Sequence, residues 1–121
     1  MKKILIVEDV EFNLDLLIQL LEDDYKLVWA MDGQAGVDLA EQERPDLILM
    51  DMSLPVMDGW TATGAIKARP GLAHIPIVGL SSHAMQGDAA KAFASGCDDY
   101  LPKPLDEDLL FATISRYLGQ D

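Results

Sequence analysis

The chain has 121 residues, half of them hydrophobic, with 9 lysines and arginines against 21 aspartates and glutamates, for a formal charge of -12. This length favours one domain, and the acidic balance argues against binding nucleic acid or an anionic membrane, because both need basic patches. The single cysteine, Cys97, excludes an intramolecular disulfide and is expected to be a packing residue in a cytoplasmic protein. The apolar run at residues 4–7 is too short for a signal peptide or a membrane span.

The first half of the chain alternates strand and helix patterns. Residues 3–7 predict a first strand, because a short continuous apolar run suits a strand buried on both faces. The next segment has apolar residues at the spacing of an amphipathic helix, namely Leu14, Leu17, Ile18 and Leu21. Residues 26–30 predict a second strand near a sheet edge, residues 36–43 a second helix, and residues 47–50 a third strand.

The alternation continues in the second half. A third helix is expected from residue 58 or 59 to about 68, a fourth strand over 75–80, an alanine-rich fourth helix from residue 85 or 86 to 95, and a fifth strand over 99–101. Asp106 is expected to cap a fifth helix with an apolar face. Regular alternation of this kind predicts an α/β fold built from βαβ units around a parallel sheet.

Polar residues follow four of the predicted strands. Glu8 and Asp9 follow the first, Asp51 the third, Ser81 the fourth and Lys103 the fifth. Because these strand ends share one edge of a parallel sheet, the side chains are expected to meet there. Two carboxylates about 5 Å apart repel by roughly 3 kcal/mol at an effective dielectric near 20, so three crowded acids are unstable unless a cation or a proton joins them. Mg²⁺ suits such a site, and the residue types predict phosphoryl transfer to a carboxylate.

Each of these residues also has a simpler structural interpretation when taken alone. Glu8 and Asp9 could cap the first helix, Asp51 and Ser81 could be turn residues, and Lys103 could be a solvated surface residue. Their joint placement at one sheet edge favours a functional site.

Four segments together resemble the receiver domain of two-component response regulators. They are residues 4–9 (ILIVED), 45–59 (PDLILMDMSLPVMDG), 75–84 (IPIVGLSSHA) and 96–104 (GCDDYLPKP). The resemblance implies a flavodoxin-like, doubly wound (βα)5 fold, with a five-stranded parallel sheet of order 2-1-3-4-5 and helices on both faces. It also implies a single stand-alone receiver domain over residues 1–121, with no output domain.

The same resemblance implies an acceptor and a metal site. Asp51 would accept the phosphoryl group. Glu8, Asp9 and Asp51 would hold Mg²⁺ together with the backbone carbonyl of Ser53. Lys103 would pair with the phosphoryl group.

Three further features follow from the family. Ser81 would supply the switch hydroxyl, and Tyr100 would change rotamer with it. The Lys103–Pro104 peptide bond would be cis. Ser81 stands where threonine is more usual, so the hydroxyl is retained without the stiffer β-branched side chain. Pro102 removes a backbone donor at the end of the fifth strand.

The resemblance implies a phosphorylation-activated switch rather than a metabolic enzyme, catalysing only its own phosphotransfer and slow autodephosphorylation. A sensor histidine kinase or a histidine phosphotransfer protein would donate the phosphoryl group. A protein target would bind the fourth helix, the fifth strand and the fifth helix, with no direct contact to nucleic acid or membrane. Two alternatives stay open: a receiver dissected from a hybrid kinase or larger regulator, and a phosphorylation-independent binding module.

Two other classes fit the sequence less well. An aspartate-nucleophile phosphatase needs a second aspartate two positions after Asp51, where this chain has Ser53. A flavodoxin-type electron carrier needs a phosphate-binding loop after the first strand, where this chain has the acidic residues 8–11.

Overall fold

The computed structural model describes residues 1–81, 94 and 96–119. The strands are β1 (Lys3–Val7), β2 (Lys26–Ala30), β3 (Leu47–Asp51), β4 (Ile77–Ser81) and β5 (Asp99–Pro102). The helices are α1 (Glu11–Leu21), α2 (Gly33–Glu43), α3 (Gly59–Lys67) and α4 (Glu107–Leu118). The predicted fourth helix lies outside the described residues apart from Ala94, so α4 corresponds to the fifth predicted helix.

All five strands form one parallel sheet of order β2-β1-β3-β4-β5, which confirms the predicted order. β1, β3 and β4 lie at the inside of the sheet, where both faces are covered and nearly every residue is buried. β2 and β5 are the edges, as predicted for residues 26–30. The carboxyl ends of all five strands therefore lie along one edge of the sheet.

The hydrophobic core has two halves, one on each face of the sheet. One half joins the sheet to α2 and α3 and includes Val37, Ala40, Ala62 and Ile66. The other joins it to α1 and α4 and includes Leu14, Leu17, Leu21, Leu110 and Ile114. Helices on both faces confirm the doubly wound arrangement. Cys97 is buried in the first half, as predicted for a packing residue.

Three helices begin with an aspartate cap. The side chains of Asp32, Asp58 and Asp106 accept the backbone N–H three residues later, at 2.7, 2.8 and 3.2 Å. The cap from Asp32 starts α2 at Gly33, three residues before the predicted start at Gly36. Capping therefore sets this boundary, rather than the apolar periodicity that the prediction used.

The start of β4 differs from the prediction for a backbone reason. The prediction began this strand at Ile75, but the Ile75 N–H donates to the carbonyl of Leu72 in a turn, at 3.1 Å. Pro76 has no N–H to donate, so the strand begins at Ile77. Among the described residues, no helix is long and apolar enough to cross a membrane.

Candidate acidic site at the carboxyl edge

Three carboxylates meet where β1 and β3 end. Glu8 and Asp9 follow β1, and Asp51 is the last residue of β3, the strand beside it. Glu8, Asp9 and Asp51 each offer one carboxylate oxygen, and these oxygens lie within 4.8 Å of one another. Glu8 is completely buried and Asp51 is 4% exposed. Parallel pairing of two neighbouring strands is thus sufficient to bring these acids together.

The acids do not cap α1. The residue before the helix is Val10, which makes no side-chain cap. Instead, Oε1 of Glu8 accepts the Val10 N–H at 3.2 Å. Oδ1 of Asp51 accepts the Ser53 N–H at 3.2 Å, so one oxygen of Asp51 does take part in the following turn.

Lys103 brings a single ammonium group to the cluster. Its Nζ lies 2.7 Å from Oε2 of Glu8 and 3.5 Å from Oδ1 of Asp51. Its backbone N–H donates to the carbonyl of Ser81 at 2.7 Å, and the Lys103–Pro104 peptide bond is cis. One lysine can offset only part of the charge of three acids.

The electrostatics of the site disfavour the ionised acids. Burial raises the pKa of Asp51, the charge of Glu8 raises it further, and Lys103 acts in the opposite direction. Burial also raises the pKa of Asp9, against the effect of a backbone hydrogen bond, and Asp51 adds to the rise. An additional cation would relieve this cost.

The donor set fits Mg²⁺. Carboxylate oxygens are the ligands that this hard cation prefers, and it commonly uses one or two carboxylates together with water. Glu8, Asp9 and Asp51 supply such oxygens at the ends of two adjacent strands. The backbone carbonyl of Ser53, two residues after Asp51, is a further oxygen in the same loop.

The two predicted switch residues lie on β4 and β5. Ser81 ends β4 and is buried, and its carbonyl holds the backbone of Lys103. Tyr100 is half-buried on β5 and stands opposite Gly79. The structure thus places Ser81 beside Lys103 at the carboxyl edge of the sheet. Tyr100 lies three residues before Lys103, on edge strand β5.

Gly59 is a residue whose importance the sequence reasoning missed. A Cβ at this position would lie 2.1 Å from the carbonyl oxygen of Asp51 and 2.6 Å from Cα of Met52. The Gly59 N–H also donates to the carbonyl of Met52 at 3.1 Å. The first turn of α3 therefore packs directly on the backbone that carries Asp51. The Asp58–Gly59 pair signalled the helix start but not this contact.

A groove of about 450 Å³ opens beside the acids. Its lining residues belong to α1, the acidic site and the segment after β5; they are Glu8, Phe12, Asn13, Leu16, Leu17, Lys103, Pro104 and Leu105. Phe12 is 77% exposed and Leu16 is 38% exposed. An apolar surface thus continues directly from the site.

This fold and this site define a flavodoxin-like α/β protein with a candidate metal site at the carboxyl edge of its sheet. The family model of the response regulator receiver domain matches residues 4–115. The chain belongs to this family of two-component signalling domains, which confirms the resemblance seen in the sequence.

Named relatives agree with this assignment. The chain is 39% identical over 119 residues to the polar-differentiation response regulator DivK of Brucella anthropi, covering 98% of this chain and 97% of that protein. It is also similar to the receiver domain of the sensor histidine kinase PA1611 of Pseudomonas aeruginosa, at 37% identity, a TM-score of 0.91 and 98% coverage of both chains. The crystal structure of that domain has a magnesium ion coordinated in the active site cleft. The chemotaxis protein CheY4 of Vibrio cholerae is 28% identical, with a TM-score of 0.91 and coverage of 98% and 99%.

Proposed function

We propose that this receiver domain is a cytoplasmic, phosphorylation-activated switch in which Asp51 accepts a phosphoryl group. The donor would be a phosphohistidine on a sensor histidine kinase or a histidine phosphotransfer protein. The observation that carries the proposal is the convergence of Glu8, Asp9 and Asp51 within 4.8 Å, with Lys103 reaching in from β5. Membership of the receiver-domain family supports it.

In the proposed reaction, a carboxylate oxygen of Asp51 attacks phosphorus in line. The new O–P bond forms as the N–P bond to the donor histidine breaks, and the leaving imidazole keeps the electron pair and takes up a proton. Glu8, Asp9, Asp51 and the Ser53 carbonyl would hold Mg²⁺, which when bound supplies positive charge against the phosphoryl oxygens.

Two side chains of this chain complete the proposed phosphoryl site. The ammonium of Lys103 would pair with one phosphoryl oxygen, and it already lies 3.5 Å from Oδ1 of Asp51. The hydroxyl of Ser81 would donate to another, since Ser81 ends the strand next to β3. Slow hydrolysis by water would return Asp51 to its carboxylate, so the chain would catalyse only its own phosphorylation and dephosphorylation.

The proposed output runs through β5, α4 and the predicted fourth helix, which lies outside the described residues. In the described part, Oδ2 of Asp99 lies 2.9 Å from Nη1 of Arg116, so β5 and α4 are already joined beside Tyr100. Movement of Tyr100 with Ser81 would change the surface that a protein target binds, and only a target that distinguishes the two states can be controlled in this way.

The groove beside the acids is the surface that we propose for the phosphohistidine donor. A donor histidine must approach Asp51, and the exposed apolar side chains of Phe12 and Leu16 line the same groove as Glu8 and Lys103. Phe12→Ala should slow transfer from a phosphorylated partner and leave transfer from acetyl phosphate unchanged. Trp29→Ala is the control, because Trp29 is also an exposed aromatic residue but lies on edge strand β2.

The proposal is tested by intact mass after incubation with acetyl phosphate, with and without Mg²⁺. A gain of one phosphoryl group that requires Mg²⁺ and is lost in Asp51→Asn is the expected result. No gain in the presence of Mg²⁺ would contradict it and would favour a phosphorylation-independent binding module. A receiver that is part of a sensor histidine kinase, as the PA1611 domain is, would use the same chemistry.

A further inference from the structure

The strand that delivers Lys103 has little support from the sheet. β5 has four residues and pairs with β4 alone, as an edge of the sheet. A slip of one residue in such a strand would move every side chain to the opposite face. The position of the Lys103 ammonium therefore depends on the few contacts that fix the register of β5.

Asp98, directly before β5, makes the contacts that fix its start. Its backbone N–H donates to the carbonyl of Ile77 at 2.8 Å, and its Oδ2 accepts the N–H of Ile77 at 2.9 Å. Its carbonyl accepts the hydroxyl of Tyr117 from α4 at 2.9 Å. Asp98 thus ties β5 to the first residue of β4 by two hydrogen bonds and to α4 by a third.

Lys67, the last residue of α3, holds Asp98 in place. Its Nζ donates to Oδ2 of Asp98 at 2.8 Å, to the carbonyl of Ile75 at 2.7 Å and to the carbonyl of Ala73 at 3.1 Å. An ammonium group has three protons, and each has an acceptor here. The side chain of Lys67 is 18% exposed. One cation therefore joins α3, the segment before β4 and the start of β5.

The other end of β5 is fixed by Lys103 itself. Pro102 stands opposite Ser81, and the N–H of the next residue, Lys103, donates to the Ser81 carbonyl at 2.7 Å, as regular parallel pairing requires. β5 is thus attached at both ends, by Asp98 at the amino edge of the sheet and by Lys103 at the carboxyl edge.

We propose that Lys67 is a positioning residue for Lys103. By holding Asp98 against Ile77, it fixes the register of β5 and keeps the Lys103 ammonium beside Glu8. Lys67 itself lies at the amino edge of the sheet, whereas Glu8, Asp9 and Asp51 lie at the carboxyl edge. The proposal rests on the proposed function where it concerns phosphoryl transfer, but its structural part can be tested separately.

The structural test is amide hydrogen exchange at Lys103 in Lys67→Met, a variant that keeps an unbranched side chain and removes the three donors. Exchange of the Lys103 N–H should become about tenfold faster or more, because β5 opens more readily when its start is loose. Lys26→Met, an exposed lysine on the opposite edge strand, is the matched control and should leave this amide unchanged. Unchanged exchange in Lys67→Met would overturn the proposal, whether or not the chain accepts a phosphoryl group.

The functional test is the rate of phosphoryl acceptance from acetyl phosphate at saturating Mg²⁺. Lys67→Met should react about fivefold more slowly or worse, because small displacements of a charge-stabilising group are costly in rate. Its Mg²⁺ dissociation constant, measured by calorimetry, should not rise, because the metal ligands lie at the ends of β1 and β3 and a displaced Lys103 competes less for Glu8. Lys67→Arg should recover most of the rate.

A parallel loss of rate and Mg²⁺ affinity would mean general disruption and would overturn the proposal, as would a wild-type rate in the variant. Should Lys67→Met not fold, Asp98→Asn replaces it, since the amide keeps an acceptor for Ile77 but loses the charge that pairs with Lys67. Asp98→Asn should also lower the rate of phosphoryl acceptance without weakening Mg²⁺ binding. A wild-type chain that takes up no phosphoryl group would contradict the proposed function alone.

Discussion

Lys103 forms a buried ion pair with Glu8, a residue 95 positions away in sequence, at 2.7 Å between Nζ and Oε2. Glu8 is completely buried and the lysine side chain is 13% exposed, so water screens this pair weakly. The same ammonium is 3.5 Å from Asp51. Lys103 therefore offsets the charge of Glu8 more than that of Asp51. Most of the negative charge on Asp9 and Asp51 remains to attract a metal ion.

Loss of this ammonium should affect stability and metal binding in opposite directions. Without Mg²⁺, Lys103→Met should lower the free energy of unfolding by about 3 kcal/mol, because a buried carboxylate loses its partner. The Mg²⁺ affinity should rise about tenfold, since no cation then competes for Glu8. Urea unfolding and calorimetric Mg²⁺ titration measure the two effects, with Lys26→Met as control. An unchanged Mg²⁺ affinity would show that the lysine and the metal do not share Glu8.

Stability should depend on pH through Asp51. The raised pKa of Asp51 means that the folded chain binds a proton at this carboxylate more tightly than the unfolded chain does. In the unfolded chain an aspartate has a pKa of about 3.9. The free energy of unfolding should therefore fall as the pH rises from that value through the raised pKa. Asp9, whose pKa is also raised, acts in the same direction.

The measurement for this effect is urea unfolding without Mg²⁺ at several pH values from about 4, the ordinary aspartate range, up to 7, for the wild type and Asp51→Asn. The variant should be more stable at pH 7, by about 1 kcal/mol, because it removes a repelled charge. This advantage should shrink as the pH falls. An advantage that is constant or grows on acidification would contradict the assigned direction of the Asp51 pKa.

Gly59→Ala should destabilise the chain and disturb the acceptor together. The added methyl group would overlap the carbonyl oxygen of Asp51, which is backbone and cannot move aside cheaply. Overpacking of this kind costs about 1–3 kcal/mol. Gly79→Ala is the comparison, because its nearest neighbours at 3.3 Å are the ends of the Met52 and Cys97 side chains. Thermal unfolding of both variants should show the larger loss for Gly59→Ala; equal losses would refute the contact.

Val56→Gly should stabilise the chain slightly. Val56 is 85% exposed and has a backbone φ of +68°, a conformation that a β-branched residue adopts only under strain. Relief of about 1–2 kcal/mol is partly offset by the greater chain entropy of glycine, for a net gain of about 0.5 kcal/mol. Leu109→Gly, at an exposed position inside α4, should instead lose stability. The denaturant midpoints of the two variants show whether each gains or loses stability. A lower midpoint for Val56→Gly than for the wild type would mean that Val56 is not strained.

Strand patterns in this sequence predicted the fold well because the strands are short apolar runs with clear ends. β1 and β2 have the predicted bounds, and the parallel alternation placed the polar strand ends on one edge. Boundaries failed where a local hydrogen bond competes with periodicity, as with the Asp32 cap of α2 and the Ile75 turn before β4.

The pairing inside the site could not be read from the sequence. Spacing placed Lys103 near three acids, but only the register of β5 and the depth of Glu8 decide that Glu8 is its nearer partner. The Lys67–Asp98 contact joins residues 31 positions apart, and both are charged residues of types that are common on protein surfaces. Such contacts follow from tertiary packing, which no local pattern encodes.

The carboxylate of Asp51 is the proposed phosphoryl acceptor, and chemical localisation of the phosphoryl group tests this assignment most directly. Borohydride reduction converts an acyl phosphate on aspartate to homoserine, which peptide mass spectrometry detects at a single position. After incubation with acetyl phosphate and Mg²⁺, homoserine should appear at position 51 and should be absent when Mg²⁺ is withheld. Homoserine at another acidic position, or at none while the wild type is folded and Mg²⁺ is bound, would contradict the account.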